Sequence, residues 1–212
     1  PLPDTPAIAV SVTNVAEAHA ITSNGGGATA AISVAENTTA VTTVIAIDPD
    51  TVTGPITYTI DGPDAAQFAI NATTGALTFV AGPNFEAPTD AGANNVYDVN
   101  VKATAGVQSV LQSIAVTVTN ANEAPTITSN GGGATAAISL AENLTAVTTS
   151  TATDPDAGAT LAWSISGGAD ATRFTIDSVT GAVSFIAAPD FETRLDANAD
   201  GVYDVIVQAS DG

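Results

Sequence analysis

The sequence predicts an all-β protein that contains two tandem antiparallel β-sandwich domains. The segment ITSNGGGATAAIS occurs at 21–33 and again at 127–139, so the 212 residues form two copies at an offset of 106. Ala, Val, Ile and Thr are abundant, and 45% of the residues are hydrophobic, which is typical of strands. Apolar residues alternate with polar ones and show no helical period. Each copy is therefore expected to fold around its own small core.

Short apolar runs separated by turn signals predict about seven strands in each copy. Residues 114–118 alternate large and small side chains, which places the large ones on one face. Trp163 alternates with Leu161 and Ile165, so we expect it in the core of the second copy. The predicted strands of the first copy are 31–34, 41–47, 56–60, 67–70, 76–80, 96–103 and 110–119. The second copy is expected to repeat the first six of these strands 106 residues later.

The two 106-residue copies do not begin and end where the predicted domains begin and end. Residues 8–13, IAVSVT, match residues 114–119, IAVTVT, which are the predicted last strand of the first copy. We therefore expect an orphan closing strand within 1–13, one domain at 14–119, and a second domain at 120–212 that lacks its own last strand. Two explanations stay open. The chain is one unit of a longer covalent array, or residues 1–13 of one molecule complete the sandwich of the next.

The charge and composition of the chain exclude several classes of function. Three Lys and Arg residues stand against 22 Asp and Glu residues, which gives a formal net charge of −19. Because there is no basic surface, nucleic acid and anionic bilayers are not expected partners. No apolar run reaches the ~18 residues of a membrane span, so membrane insertion is not expected. Cysteine is absent, and His19 is expected to be a linker residue without a catalytic partner, so we expect no enzyme.

Many acidic residues fall in short motifs at matching positions of the two copies. Asp-Pro-Asp occurs at 48–50 and 154–156, and Ala-Glu-Asn occurs at 35–37 and 141–143. Calcium takes about six to eight oxygen ligands from carboxylates, amides and backbone carbonyls. Zinc and redox metals are not expected, because the chain has no His or Cys cluster. The motifs predict calcium sites near the ends of the domains.

The ordered set of motifs resembles the cadherin repeat, in its bacterial cadherin-like form, over essentially the whole chain. The resemblance implies Ig-like Greek-key sandwiches in an elongated rod, with calcium at the junction between consecutive domains. The residues that it assigns to the interdomain site are Glu36, Glu86, Asn120, Asn122, Glu123, Asp154, Asp156 and Asp211. Open half-sites are expected at Asn14, Glu17, Asp48 and Asp50, and at Glu142, Asp190 and Glu192. Asn84 and Asn120 replace acidic residues of the family pattern, so weaker binding is expected.

A further acidic loop follows Leu195 in the second copy. Its Asp, Asn and Asp at alternate positions, followed by Gly201, match the first half of an EF-hand-type loop that lacks the final Glu. The candidate ligands of this loop site are Asp196, Asn198, Asp200 and Asp204. A polar turn is the alternative interpretation.

The function that these features predict is a calcium-binding extracellular adhesion or matrix module, stiffened by interdomain calcium. The resemblance implies a secreted protein at a bacterial cell surface or in a biofilm matrix. In the rhizobial adhering proteins it also implies calcium-dependent binding of acidic exopolysaccharide. The alternative is a structural spacer, or a self-assembling fibre subunit whose copies join head to tail by strand donation.

Overall fold

The computed structural model describes residues 7–13, 15, 17–49 and 54–212. The chain forms two compact units, one that ends at Ala121 and one that spans Asn122–Gly212. The described residues contain strands and three single-turn 3-10 helices, but no α-helix. Within the same residues, no helix is long and apolar enough to cross a bilayer. The predicted all-β class is therefore confirmed.

Unit 1 is a sandwich whose larger sheet contains the longest strands. The strands are β1 (Ala20–Ile21), β2 (Thr29–Ala35), β3 (Ala40–Thr43), β4 (Ala46–Ile47), β5 (Thr57–Asp61), β6 (Phe68–Ile70), β7 (Ala76–Phe79), β8 (Val96–Ala105) and β9 (Gln108–Thr119). The larger sheet has the order β2-β9-β8-β5, and the smaller has the order β3-β7-β6. The strands β2 and β9 run parallel, whereas the other described pairs are antiparallel.

The core of unit 1 lies between the two sheets. On β9, Ile114, Val116 and Val118 are at most 1% exposed, because alternate residues of a strand point to the same face. Phe79 from the smaller sheet meets Tyr97 of the larger one edge to face, with ring centroids 5.2 Å apart. The strand β9 therefore supplies three of the buried core residues of unit 1.

Unit 2 repeats this plan with fewer paired strands. They are β10 (Thr126–Ile127), β11 (Ala146–Thr149), β12 (Ala152–Thr153), β13 (Ala162–Gly167), β14 (Phe174–Ile176), β15 (Ala182–Phe185) and β16 (Ile206–Ser210). One sheet has the order β11-β15-β14, and β13 pairs with β16. Trp163 is 6% exposed, which confirms that it is a core residue.

In unit 2 the predicted strand 137–140 is absent and the predicted strand 202–209 begins only at Ile206, and both differences have the same cause. Residues 137–140 form no strand, although the matching strand β2 pairs along its whole length with β9. Residues 202–205 also form no strand. In unit 1 their counterparts, 96–99, pair only with β9, because β5 pairs with the later residues 100–104 of the same strand. Unit 2 has no strand at the position of β9, so both segments lack a partner for their backbone groups.

The predicted strand 41–47 is divided in the structure. Its first part, β3, pairs with β7, and its second part, β4, pairs with β1. Val44 lies between the two parts, is fully buried, and donates its N–H to the carbonyl of Gly75. The short strands β1 and β10 were missed by the sequence pattern, because two residues are too few to show an alternation.

Candidate metal site

Glu36 is a buried carboxylate at the end of β2. Its side chain is 2% exposed, and its two oxygens accept different backbone N–H groups. The Oε1 atom accepts from Ala121 at 2.9 Å, and the Oε2 atom accepts from Phe85 at 2.8 Å. The backbone N–H of Glu36 donates in turn to the carbonyl of Thr119, the last residue of β9. Glu36 therefore fixes the point at which the chain leaves unit 1.

Glu86 brings a second carboxylate to the same place. Glu36 and Glu86 each offer an oxygen, and the two atoms lie within 4.8 Å of one another. Asn84, two residues earlier, uses its Oδ1 atom to accept the N–H of Ala87 at 2.7 Å. Asn120 is exposed and directly follows β9. Unit 1 thus supplies two convergent carboxylates, which we call the Glu36 cluster.

Asp154, Asp156 and Asp211 form a cluster in unit 2, with one oxygen from each within 4.8 Å of the others. We call it the Asp154 cluster. The Oδ1 atom of Asp154 accepts the N–H of Asp156 at 2.9 Å, so the first two acids share one tight turn. Asp156 Oδ2 accepts the N–H of Glu123 at 2.8 Å. Asp211 Oδ2 accepts from Asn122 Nδ2 at 2.7 Å. The structure therefore brings together all five unit 2 residues of the predicted interdomain set.

The surroundings of Asp154 Oδ2 show whether a cation fits in the Asp154 cluster. The Oδ2 atom of Asp154 is buried and accepts no hydrogen bond from any described residue. An oxygen that carries negative charge and has no partner is unfavourable away from water. A hard divalent cation among these carboxylates would supply the missing partner, and oxygen ligands are the ones that calcium prefers. The residues present fit a calcium ion.

Glu142, Asp190 and Glu192 form a third group, the Glu142 cluster, with one oxygen from each within 4.8 Å of the others. Glu142 Oε2 accepts the N–H of Phe191 at 2.9 Å, which repeats the bond between Glu36 and Phe85 in unit 1. Asp190 Oδ1 accepts the N–H groups of Glu192 and Thr193. These three acids are exposed. The predicted far half-site is therefore assembled within unit 2.

The front half-site differs from the Asp154 cluster. Asn14 and Asp50 lie outside the described residues, and Glu17 is exposed. His19, which stands where unit 2 has Pro125, is 6% exposed, and its Nε2 atom lies 3.3 Å from Asp48 Oδ2. His19 is thus a buried neighbour of the carboxylate that corresponds to Asp154. The sequence signal for this contact was weak, because a lone histidine in a linker has no motif.

The loop site of unit 2 is folded around Asp196. Asp196 is 7% exposed, and its Oδ2 atom accepts the N–H groups of Asp200 at 2.7 Å and Gly201 at 3.2 Å. Burial of Asp196 raises its pKa, but the net shift is downward. The pKa is lowered by hydrogen bonds from the backbone N–H groups of Asp196 itself, Gly201 and Asp200, and by the positive charge of Arg194. Asn198 Nδ2 donates to Asp200 Oδ2 at 2.9 Å.

Among the described residues, the groups of three acids with convergent oxygens do not include Asp196, Asp200 or Asp204. The Oδ1 atom of Asp196 is buried and accepts no hydrogen bond from a described residue. Calcium binding at this loop stays a prediction.

Two buried aspartates that the sequence analysis missed support this loop and its counterpart. Asp170 is 3% exposed and accepts the N–H groups of Ala197 at 2.7 Å and Asp204 at 2.9 Å. Asp64 makes the matching bonds in unit 1, to Ala91 and Asp98. Both precede a 3-10 turn at equivalent positions, which was the available signal. Their oxygens hold the loops in shape.

Comparisons with known proteins identify the fold. The sequence matches no protein-family model and no curated protein. Human protocadherin-24 EC1-2 is similar in structure, with a TM-score of 0.51 and 18% identity over 92% of this chain and 94% of that one. Drosophila N-cadherin EC1-4 is similar at a TM-score of 0.51 and 21% identity, over 92% of this chain and 45% of that one. The chain has the fold of tandem cadherin extracellular domains.

Proposed function

We propose that this chain is a calcium-binding extracellular module of the adhesion or matrix type, in which calcium stiffens the connection between the two units. The observation that carries the proposal is the Asp154 cluster, where a buried carboxylate oxygen has no hydrogen-bond partner among the described residues. The cadherin fold supports it, because the resemblance in sequence assigns calcium ligands to the same positions.

A carboxylate of unit 1 binds the last backbone N–H of unit 1, and a carboxylate of unit 2 binds a backbone N–H near the start of unit 2. Glu36 accepts the N–H of Ala121, the last residue of unit 1, and Asp156 accepts the N–H of Glu123, two residues later in the chain. We expect Glu36, Glu86, Asn120, Asn122, Glu123 and the Asp154 cluster to hold calcium here. When bound, calcium supplies positive charge that several carboxylates share.

Repulsion between carboxylates is the reason why calcium should stiffen the connection between the two units. Two carboxylates within 4.8 Å of one another, as in the Asp154 cluster, repel by roughly 1–3 kcal/mol when no cation lies between them. The chain as a whole adds to this repulsion, since its formal net charge is −19. Without calcium, we expect the residues around 120–125 to be a flexible connection. Millimolar extracellular calcium is suited to sites at the weaker end of the range.

Thermal unfolding with and without calcium tests the proposal. Trp163 is the single tryptophan, so its fluorescence reports on unit 2 alone. Calcium that binds the folded state at about a hundred times its Kd stabilises it by about 2.7 kcal/mol, and EGTA should remove this effect. Magnesium serves as the matched control cation, because it demands a tighter octahedral site. A melting temperature that is the same in calcium and in EGTA would overturn the proposal.

The proposed setting is a secreted protein at a bacterial cell surface or in a biofilm matrix, with an acidic polysaccharide as its partner. A chain of net charge −19 can hold a polyanion only through shared cations, so this binding should need calcium. Binding to an acidic and to a neutral polysaccharide, each with calcium and with EGTA, tests the partner. Equal binding to both polysaccharides, or binding that survives EGTA, would contradict it. A calcium-stiffened spacer would be the function if neither polysaccharide binds.

A further inference from the structure

The acidic loop at 196–201 of unit 2, which we call the Asp196 loop, has a counterpart at 90–95 of unit 1, the Asp90 loop. In the Asp90 loop, both oxygens of the first carboxylate have a partner. Asp90 Oδ1 accepts the N–H of Asn95 and Asp90 Oδ2 accepts the N–H of Asn94, each at 3.0 Å. Asp90 is 6% exposed. Backbone donors alone therefore satisfy this buried carboxylate.

In the Asp196 loop, one oxygen of the corresponding carboxylate is left without a partner. The N–H groups of Asp200 and Gly201 both donate to Asp196 Oδ2, at 2.7 and 3.2 Å. Asp196 is 7% exposed, and its Oδ1 atom is buried and accepts no hydrogen bond from any other described residue. A charged oxygen that is shielded from water and has no partner is unfavourable, so a cation bound at this oxygen would stabilise it.

Two differences in sequence between the loops add further oxygen atoms beside Asp196. Asn198 stands where unit 1 has Gly92, and Asp200 stands where unit 1 has Asn94. The N–H of Asp200 is shared between Asp196 Oδ2 at 2.7 Å and Asn198 Oδ1 at 3.4 Å. Asn198 Nδ2 in turn donates to Asp200 Oδ2 at 2.9 Å. The Asp196 loop therefore gathers two carboxylates and an amide, whereas the Asp90 loop has a single carboxylate.

We propose that the Asp196 loop binds one calcium ion through Asp196, Asn198 and Asp200, and that the Asp90 loop binds none. Calcium accepts carboxylate and amide oxygens together, and water fills its remaining positions. The ion gives Asp196 Oδ1 a partner, whereas Asp90 needs none because backbone donors satisfy both of its oxygens. The proposal does not rest on the proposed function, since all three ligands lie in one loop of unit 2 and none belongs to the Asp154 cluster.

Calcium titration followed by backbone amide NMR signals tests this site apart from the Asp154 cluster. In the 212-residue chain, calcium should shift the amides of Asp200 and Gly201 until they saturate, and EGTA should reverse the shifts. The amides of Asn94 and Asn95 are the internal control and should not shift. Magnesium at the same concentration controls for ionic strength and should shift the loop amides far less. Amides of Asp200 and Gly201 that stay in place while those of the Asp154 cluster shift would overturn the loop site and leave the proposed function standing.

A double variant gives the Asp196 loop the residues of unit 1 at two of its ligand positions. Ala199 and Ala93 both have a positive φ, of 57° and 49°, so the two loops share a backbone turn, and Asn198→Gly with Asp200→Asn is expected to fold. This variant should weaken calcium binding at the loop by about tenfold or more, because a charged ligand and an amide ligand are lost. Asp177→Asn removes the same charge outside the loop and should leave the affinity unchanged. Equal affinities of the double variant and of Asp177→Asn would overturn the proposal.

Arg194 lies beside the Asp196 loop and opposes a cation there. Its Nη1 atom donates to the carbonyl of Ala199 at 3.5 Å, and its guanidinium lies over the ring of Phe191, 5.0 Å from the ring centroid. Arg194 does not satisfy Asp196 Oδ1, which has no hydrogen-bond partner among the described residues. Because like charges repel, Arg194→Gln should tighten calcium binding at the loop by roughly threefold in the same titration. Calcium binding that is weaker in Arg194→Gln than in the unchanged chain would overturn the assignment.

Discussion

Glu36 and Ala121 are joined by a hydrogen bond of 2.9 Å between the N–H of Ala121 and the carboxylate of Glu36. The other oxygen of the same carboxylate binds Phe85. A single buried acid therefore ties the end of unit 1 to two different loops, and the candidate calcium ligands Asn120 and Glu86 are neighbours of these bonds in the chain.

Glu36→Gln should destabilise unit 1 by about 1–3 kcal/mol, because an amide nitrogen would face one of the two N–H donors. Urea unfolding followed by circular dichroism measures this loss. Glu142→Gln is the matched control in unit 2, where the corresponding carboxylate is exposed, and its cost should be smaller. A larger cost for Glu142→Gln would contradict the role assigned to burial.

Asp154→Asn should have opposite effects with and without calcium. In EGTA it removes charge from a buried oxygen that has no hydrogen-bond partner, so the melting temperature of unit 2 should stay the same or rise. In calcium the stabilisation by the ion should fall, because a charged ligand has been lost. Asp177→Asn removes the same charge in the same unit and should leave the calcium effect unchanged. If calcium raises the melting temperature of Asp154→Asn as much as it raises that of the unchanged protein, the site is misassigned.

Gly181→Ala should destabilise unit 2 by about 2–4 kcal/mol. Gly181 has a φ of +71°, and an added Cβ would lie 2.5 Å from the carbonyl oxygen of Ser150 and close to the ring of Trp163. Gly158→Ala is the control, since Gly158 also has a positive φ of +87° but no atom lies within 4 Å of the added Cβ. Its cost should be about 1 kcal/mol. Urea unfolding followed by Trp163 fluorescence compares the two, and similar costs would contradict the packing argument.

The stability of unit 2 should depend on Asp177 below pH 5. The backbone N–H groups of Thr180 and Val179 lower the pKa of Asp177 in the folded state. Its contribution is therefore present above the unfolded pKa of about 3.9 and is lost as the pH falls through the lower folded pKa. In unit 1, Asn71 makes the same turn with a neutral amide. Asp177→Asn should be less stable than the unchanged protein at pH 6, and this difference should shrink towards pH 2. A difference that is constant with pH would contradict the shift.

The grouping of the acids in the Asp154 and Glu142 clusters could be predicted from sequence, because these acids lie in short motifs. The Asp-Pro-Asp turn at 154–156 places two carboxylates together without help from the rest of the chain. The contact between His19 and Asp48 could not be predicted, since it depends on how the linker lies against β4. The roles of Asp64 and Asp170 were also missed, because each holds a loop that is 27 or more residues away in the chain.

Several segments have the same sequence in both copies but differ in secondary structure. Comparing them shows what the sequence determines and what the tertiary structure decides. Sequence alone determined the repeat, the strand class, the alternation of core residues and the positions of the acids, because these follow from local periods and short motifs. Yet VYDV is part of a strand at 96–99 and not at 202–205, and TAAIS is part of β2 at 29–33 but forms no strand at 135–139. A strand exists only where another strand satisfies its backbone groups, and β9 does so only in unit 1.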